Sequence, residues 1–466
     1  MPPSGPLPGE LGGGAPDQPR GAVTAPSQGG SYVRAETRVP FAALATVPFV
    51  LVLSNSMIIP VLPNIQQALH KSLLQVGLLI TVFSVTAGLV IPLGGYLSDR
   101  FGRKKVMVPS LFLFGLGGLG AAVAPLFLGG HAYGLILAGR VVQGIGAGGT
   151  FQIAMALAGD IFKSKERSKA LGLLEASNGF GKVVSPIIGA ATMMLFWFAP
   201  FFLYPLIAWA AAILVWRVVE EPQGSTTDRP IGSFARGIGK VFAKKGAALG
   251  ACFLAGAVAL FFLFGILSYY SDVLEKSYHV EGVTRGLIIA IPVAVMALTA
   301  FLSGTLLVKH VARLSKLIVV TGLGIVSASF IVMFFVHRAI VPFTATITGM
   351  GLGNGLMLPS INTMITSTTG SAERGTVTAL YGTVRFFGAA FGPPAFDKAV
   401  QLGTVAPYLG SAALALASMI IALAWINQHQ LLANLEQGGG TPPRTPSSAR
   451  RLEHDPVTRD GDNRLT

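Results

Sequence analysis

The chain has 466 residues, 52% of them hydrophobic and only 12% charged, with a formal net charge of +14 and a mean hydropathy of +0.64. A soluble domain carries about a quarter charged residues, so this composition excludes an ordinary soluble protein and points to an integral membrane protein. The positive charge does not read as nucleic-acid binding, because the basic residues are scattered through short loops instead of gathered on one face.

Residues 1–38 are rich in Pro, Gly and polar residues and lack a charged start followed by a short apolar core, which reads as a disordered tail and not a signal peptide. Apolar stretches of about bilayer length, roughly 20 residues each, then recur near 39–62, 74–97, 106–127, 133–158, 169–195 and 200–219. A polar segment, 220–246, separates these from a second set near 247–271, 286–308, 316–336, 339–364, 376–400 and 407–426. The reading is all-α and integral to the membrane, with twelve transmembrane helices in two six-helix bundles, 39–219 and 247–427. Residues 428–466 form a second polar tail, rich in Arg towards its end.

Lys and Arg are retained on the cytoplasmic side of short loops. Their distribution places both termini in the cytoplasm and makes 220–246 a cytoplasmic linker, with Arg229, Arg236, Lys240, Lys244 and Lys245 on a surface helix. The expected location is a bacterial inner membrane, multi-pass, with the chain a monomer.

The two halves repeat one another at an offset of 207. Gly144, Gly146 and Gly148 fall on Gly351, Gly353 and Gly355, Glu166-Arg167 on Glu373-Arg374, Gly181 on Gly388, and Pro186 on Pro393. Parallel six-span repeats are one transporter plan, with the substrate site between the halves near the midplane.

Five charged residues interrupt the greasy chain in GGYLSDRFGRKK, 94–105. This stretch resembles the loop between helices 2 and 3 of the major facilitator superfamily, and a worn copy, GTLLVKHVAR, occupies 304–313 with Val308 in place of the aspartate. LAGRVVQGIGAG, 137–148, resembles the helix 4 signature. GKVVSPIIGA, 181–190, resembles the antiporter signature of helix 5, with Ser185-Pro186 where Gly-Pro is usual and Gly189-Ala190 where Gly-Gly is usual. DIFKSKERSKALG, 160–172, resembles the cytoplasmic element after helix 4. The resemblance extends over both halves and is strongest to bacterial twelve-helix drug:proton antiporters. It implies alternating access with proton-coupled efflux of small amphipathic compounds. Uptake or facilitated diffusion of an anionic metabolite, siderophore or lipid, and a non-transporting sensor, are the alternatives.

The resemblance implies a cytoplasmic gate of Gly95, Asp99, Arg100, Gly102, Arg103 and Lys104, in which Asp99 meets a helix dipole and neighbouring cations. Topology alone explains the basic residues but neither Asp99 nor the paired glycines. Charges within spans default to functional hypotheses; here they are Arg140, Glu175, Lys182 and Arg385. Glu175, Asn178 and Lys182 are spaced by three and four and share one helix face. Arg385 stands at the repeat position of Asn178.

Glu175, Lys182 and Arg140 are the proton-coupling candidates, because burial disfavours a charged carboxyl and a neighbouring cation favours it. Asn178, Lys182, Arg385, Asn55, Gln152, Phe386 and Tyr381 are the cavity candidates. Structural pairing between helices is the competing reading of each charge. At the expected outer end of helix 7, Tyr269, Tyr270 and Asp272 in SYYSDVLEKSY are outer-gate candidates, though tyrosines also serve as interface anchors.

The glycine clusters lack a strand-to-helix context and a Lys-Ser/Thr ending, which excludes a phosphate loop. The His residues lie in loops, at span ends or in a tail, which excludes an enzyme site. The lone Cys252 offers neither a disulfide framework nor a thiolate metal site. No metal and no cofactor are expected. The partners are a small-molecule substrate, protons and the lipid bilayer, without nucleic acid.

Overall fold

A computed structural model describes residues 38–162, 164–222, 231–306, 311–368 and 371–432. Residues 1–37 and 433–466 of the two tails, the linker residues 223–230 and the centre of the worn loop copy, 307–310, lie outside the described residues, whereas 428–432, read as part of the second tail, are helical with Leu431 and Leu432 buried.

The N-terminal half contains α1 (Arg38–Ser56), α2 (Leu62–Leu69), α3 (Leu73–Phe101), α4 (Arg103–Leu128), α5 (Tyr133–Gly148), α6 (Phe151–Ile161), α7 (Ser164–Met193) and α8 (Ala199–Val218). The C-terminal half contains α9 (Ile231–Lys276), α10 (Gly282–Leu306), α11 (Val311–Val336), α12 (Ile340–Ser367), α13 (Ser371–Gln401) and α14 (Ser411–Trp425), the last preceded by a π-helical turn at Ala406–Gly410. No strand occurs among the described residues. The first span is α1 plus α2, broken where Pro60 and Pro63 remove backbone donors. The fourth is α5 plus α6, broken at Gly149-Thr150. With these pairs joined, the protein has twelve membrane helices in two pseudo-symmetric six-helix bundles.

Nine helices among the described residues are long and apolar enough to cross a membrane by length and composition alone. The other three are α7, α12 and α13. Polar residues break their apolar runs: Glu175, Asn178, Lys182 and Ser185 in α7, Asn354, Ser360 and Asn362 in α12, and Thr378, Tyr381 and Arg385 in α13. Large apolar side chains such as Phe127, Leu195 and Phe335 stay exposed on the outside of the bundles, as a lipid-facing surface requires. One helix extends beyond the span that the sequence predicts. The helix that carries the seventh span starts well before it: α9 runs unbroken from Ile231, while its membrane-length apolar stretch is Lys245–Lys276, as read from the sequence. No proline interrupts IGSFARGIGKVFAKKG, and its apolar residues recur at helical spacing, so the end of the linker continues into the span.

The internal repeat is realised as equivalent packing. Spans 3 and 4 pair as α4 with α5, and spans 9 and 10 as α11 with α12; α3 with α5 matches α10 with α12, and α1 with α7 matches α9 with α13. Close approach explains the repeated glycines. A β-carbon at Gly144 would strike the α3 backbone at Phe83, and one at Gly351 the α10 backbone at Pro292. Gly146 abuts Phe114 of α4 as Gly353 abuts Gly322 of α11, and Gly181 meets Phe49 as Gly388 meets Ala257.

Two seams join the bundles, α3 against α13 and α7 against α10. In the first, the Thr81 hydroxyl donates to Ala390 O at 2.6 Å and the Thr383 hydroxyl to Gly88 O at 2.8 Å. The repeated prolines sit one in each seam, opposite a glycine of the other bundle: Pro393 against Gly77, and Pro186 against Gly286.

Candidate functional site

The face of the bundle that carries the start of α1, the α3–α4 loop and the linker is called the terminal face, and the opposite one the distal face. At the terminal face, Gly102 separates α3 from α4 with φ +110°, a conformation closed to other residues without strain. The Arg103 Nε donates to Asp160 Oδ2 at 2.5 Å, and its Nη1 lies 3.4 Å from Asp99 Oδ1. Glu221, the first linker residue to matter, accepts from the backbone N–H groups of Arg103 at 2.5 Å and Lys104 at 3.2 Å, so its carboxylate caps the positive end of α4. Gly95 and Arg100 lie on the last turns of α3, where the Arg100 Nη1 donates to the Tyr96 hydroxyl at 3.5 Å. Glu221 went unnoticed in the sequence because an acidic residue in a linker carries no motif.

Within the N-terminal bundle, Arg140 is fully buried. Its Nε donates to Leu79 O at 2.9 Å, Nη1 to Ser54 Oγ at 2.9 Å and Gln143 Oε1 at 2.6 Å, and Nη2 to Asn55 Oδ1 at 2.8 Å. Asn55 in turn donates to Ser84 Oγ at 2.8 Å. The guanidinium stacks on Phe83 at 4.4 Å. These partners all belong to the same bundle, so the structure places Arg140 and Asn55 inside it and not between the halves.

Glu175, Asn178 and Lys182 stand on α7 and Tyr381 and Arg385 on α13, the two helices that each take part in a seam between the halves. Glu175 is exposed, Asn178 buried, and Lys182 and Arg385 half-buried. Lys182 lies within electrostatic range of Arg385 and Glu175, and Tyr381 within range of Arg385 and Glu175. The Arg385 guanidinium sits 5.3 Å from the Tyr381 ring centroid. The Tyr381 hydroxyl and the Arg385 Nε are buried without hydrogen-bond partners. Gln152, at the start of α6, lies beside Gly382 of α13, while Phe386 packs in the α3–α13 seam against Gly88.

At the distal face, Tyr270 bonds to Thr344 and packs on Phe343, Tyr269 meets the Tyr408 hydroxyl at 3.3 Å, and Asp272 pairs with Lys276 at 2.7 Å, all within the C-terminal half. The groups that cross between halves lie one turn further on. Arg285, fully buried, pairs with Glu275 and donates to Asn64 Oδ1 and towards the Met193 sulfur. Gln67 donates to Glu275 at 2.5 Å, and Lys276 to Gln66 at 3.4 Å. Sequence reasoning passed over Glu275 and Arg285 because charges at span ends are ordinary; only their coincidence in space singles them out.

The sequence profile described as Major Facilitator Superfamily matches residues 44–393, three quarters of the chain. The chain belongs to the major facilitator superfamily. As a major facilitator protein it is a multi-pass membrane transporter of small molecules and not an enzyme. It is similar to a "Bacillibactin exporter" of Bacillus subtilis (strain 168), at 39% identity over 383 residues, 82% of this chain and 94% of the relative. "Multidrug resistance protein 1" of the same organism is 28% identical over 356 residues, 75% of this chain and 87% of the relative. Among solved structures, a D-xylose-proton symporter superposes with a TM-score of 0.67 at 15% identity, covering 84% of this chain and 98% of its own. The human organic anion transporter MFSD10 gives 0.65 at 16% identity, covering 84% and 100%.

The major facilitator loop also yields a test of Gly102. A β-carbon there would lie 2.9 Å from the Glu221 carboxylate, in a backbone conformation that costs a non-glycine residue about 1–3 kcal/mol. Gly102→Ala is expected to lower the thermal unfolding midpoint in detergent. Gly95→Ala, where a β-carbon meets open space, is expected to leave it unchanged.

Proposed function

We propose that the protein is a proton-coupled exporter of small amphipathic organic compounds, secreted metabolites of siderophore type among them, working by alternating access in a bacterial inner membrane. The observation that carries this reading is the 39% identity, across 82% of this chain and 94% of the other, with a relative named for export. The geometry supports it. The halves meet along two glycine-lined seams, and the distal face is held shut by hydrogen bonds from Gln67 to Glu275 and from Arg285 to Asn64, which separation would break. With the positive-inside rule, the terminal face is cytoplasmic and the distal face external.

On this reading Glu175 is the proton carrier, with Lys182 its switchable partner. A coupling ion and a cargo influence one another only if each favours the two conformations differently, and a carboxylate on one bundle beside a cation cluster shared with the other meets that condition. The test is transport in proteoliposomes under an imposed pH gradient. Glu175→Gln is expected to abolish pH-driven flux while leaving the protein folded; full flux in this variant would remove Glu175 from the mechanism. Transport of a compound with no response to the gradient would instead favour facilitated diffusion.

A further inference from the structure

The α3–α13 seam meets a need that the two helices create for each other. Proline has no backbone N–H, so within a helix it leaves the carbonyl four residues earlier without its usual donor. Pro92 of α3 does this to Gly88 O, and Pro394 of α13 does it to Ala390 O. These are the two carbonyls that the hydroxyls of the opposite bundle reach, Thr383 donating to Gly88 O at 2.8 Å and Thr81 to Ala390 O at 2.6 Å. In a membrane a freed carbonyl has no water to turn to, and a Ser or Thr hydroxyl on a neighbouring helix is one of the few remedies.

The sequence pattern is the same on both sides. Each helix carries Thr, a small residue seven positions later and Pro four beyond that: Thr81, Gly88 and Pro92 in α3, Thr383, Ala390 and Pro394 in α13. Seven residues make about two helical turns. Because the helices run antiparallel, with Gly77 against Pro393 at one end, each Thr falls opposite the small residue of the other helix. That small residue lets the backbones approach; a β-carbon at Gly88 would lie 3.3 Å from Thr383 O. Each hydroxyl also has an acceptor on its own helix, Gly77 O at 3.3 Å from Thr81 and Ala379 O at 3.2 Å from Thr383, yet sits closer to the opposite bundle. In the α7–α10 seam the positions that repeat Thr81 and Thr383 are Ile288 and Ala176, whose side chains donate nothing.

We propose that Thr81 and Thr383 are positioning residues of the transport cycle, forming a reciprocal clasp on the two proline-freed carbonyls that keeps α3 and α13 together at mid-membrane while the ends of the bundles move. This rests on the reading of the protein as an alternating-access carrier. Breaking the clasp strands both carbonyls, so it is the tie that rocking leaves intact. Movement is then taken up beyond the prolines, where a helix bends most readily: in α3 from Pro92 towards the Asp99 gate, and in α13 from Pro394 to Gln401.

The test uses the detergent-solubilised full chain and needs neither cargo nor gradient, so it is decided even if the proton coupling or the direction of transport proves otherwise. Spin labels at Leu89→Cys and Phe391→Cys, both exposed on the bundle surface beside the clasp, in a Cys252→Ala background, report the seam. One narrow distance is expected, unchanged by Arg285→Ala, which removes the distal ion pair. Thr81→Val and Thr383→Val are expected to raise the population at a longer distance by about threefold each and about tenfold together, as loss of one or two interhelical hydrogen bonds implies. Thr81→Ser with Thr383→Ser keeps the donors and is expected to keep the narrow distance. Pro92→Ala with Pro394→Ala returns an N–H to each carbonyl and is expected to remove most of the valine effect, which a merely space-filling threonine would not show. An unchanged distribution in the monodisperse double-valine protein, an equal valine effect with and without the prolines, or a seam distance that lengthens in Arg285→Ala would each overturn the proposal.

Discussion

Arg285→Ala is expected to open the distal face. Arg285 is fully buried and its guanidinium serves both halves at once, pairing with Glu275 of α9 and donating to Asn64 of α2 and the Met193 sulfur of α7. Removing one member of a buried ion pair costs about 3–5 kcal/mol, because the other charge is left uncompensated in a poorly solvating site. Here that cost falls on one conformation more than the other. Glu275 is stranded only while the halves are closed over it, and it regains water when they part. The population therefore shifts towards the distal-open state, by roughly tenfold for each 1.4 kcal/mol of difference. Spin labels introduced by His70→Cys and Glu281→Cys, both exposed on this face and on opposite halves, in a Cys252→Ala background, read the change as a longer distance between labels. An unchanged distance distribution would show that Arg285 does not hold the face shut.

Arg140→Ala is expected to destabilise the fold without shifting that equilibrium. Its four described hydrogen bonds end on Leu79, Ser54, Gln143 and Asn55, all in the N-terminal bundle, and its side chain fills the space between Phe83 and Tyr204. Truncation leaves several buried acceptors unsatisfied and a cavity beside two aromatic rings, which together cost about 3–5 kcal/mol. Arg140→Met refills much of the volume but not the hydrogen bonds, so a Met variant intermediate in thermal stability between wild type and Ala would separate the two contributions. Because every partner moves with the same bundle, the distal-face distances are expected to match those of the unsubstituted protein. The two buried arginines thus have opposite signatures, one in conformational balance and one in unfolding.

The sequence carried most of the architecture because membrane spans and repeats leave long-range regularities. Gly144, Gly146 and Gly148 and their partners 207 residues later turned out to touch equivalent helices, since a bare backbone is the one residue-level feature that close helix packing demands. The cluster of Lys182, Tyr381 and Arg385 was partly legible through helical spacing and the repeat, which place positions on faces. What spacing does not give is the identity of the neighbour across a face. Arg140 and Lys182 look alike as charges within spans, yet one is bonded throughout within its own bundle and the other lies within electrostatic range of Arg385 in the second. Glu275, Arg285 and Glu221 were invisible for a related reason. Each acts through a partner far away in the chain, Gln67 and Asn64 for the distal pair and the backbone of Arg103 and Lys104 for Glu221.

The two seams between the bundles are related by the repeat, but their fastenings differ. The α3–α13 seam is pinned mid-span by the Thr81 and Thr383 hydroxyls, each bonded to a carbonyl of the opposing helix, whereas the described hydrogen bond from α10 to α7 sits at the distal end, where Arg285 reaches the Met193 sulfur. The two seams, duplicated in sequence, are therefore fastened at different depths: one at mid-span by a pair of hydroxyls, the other at its distal end by a guanidinium.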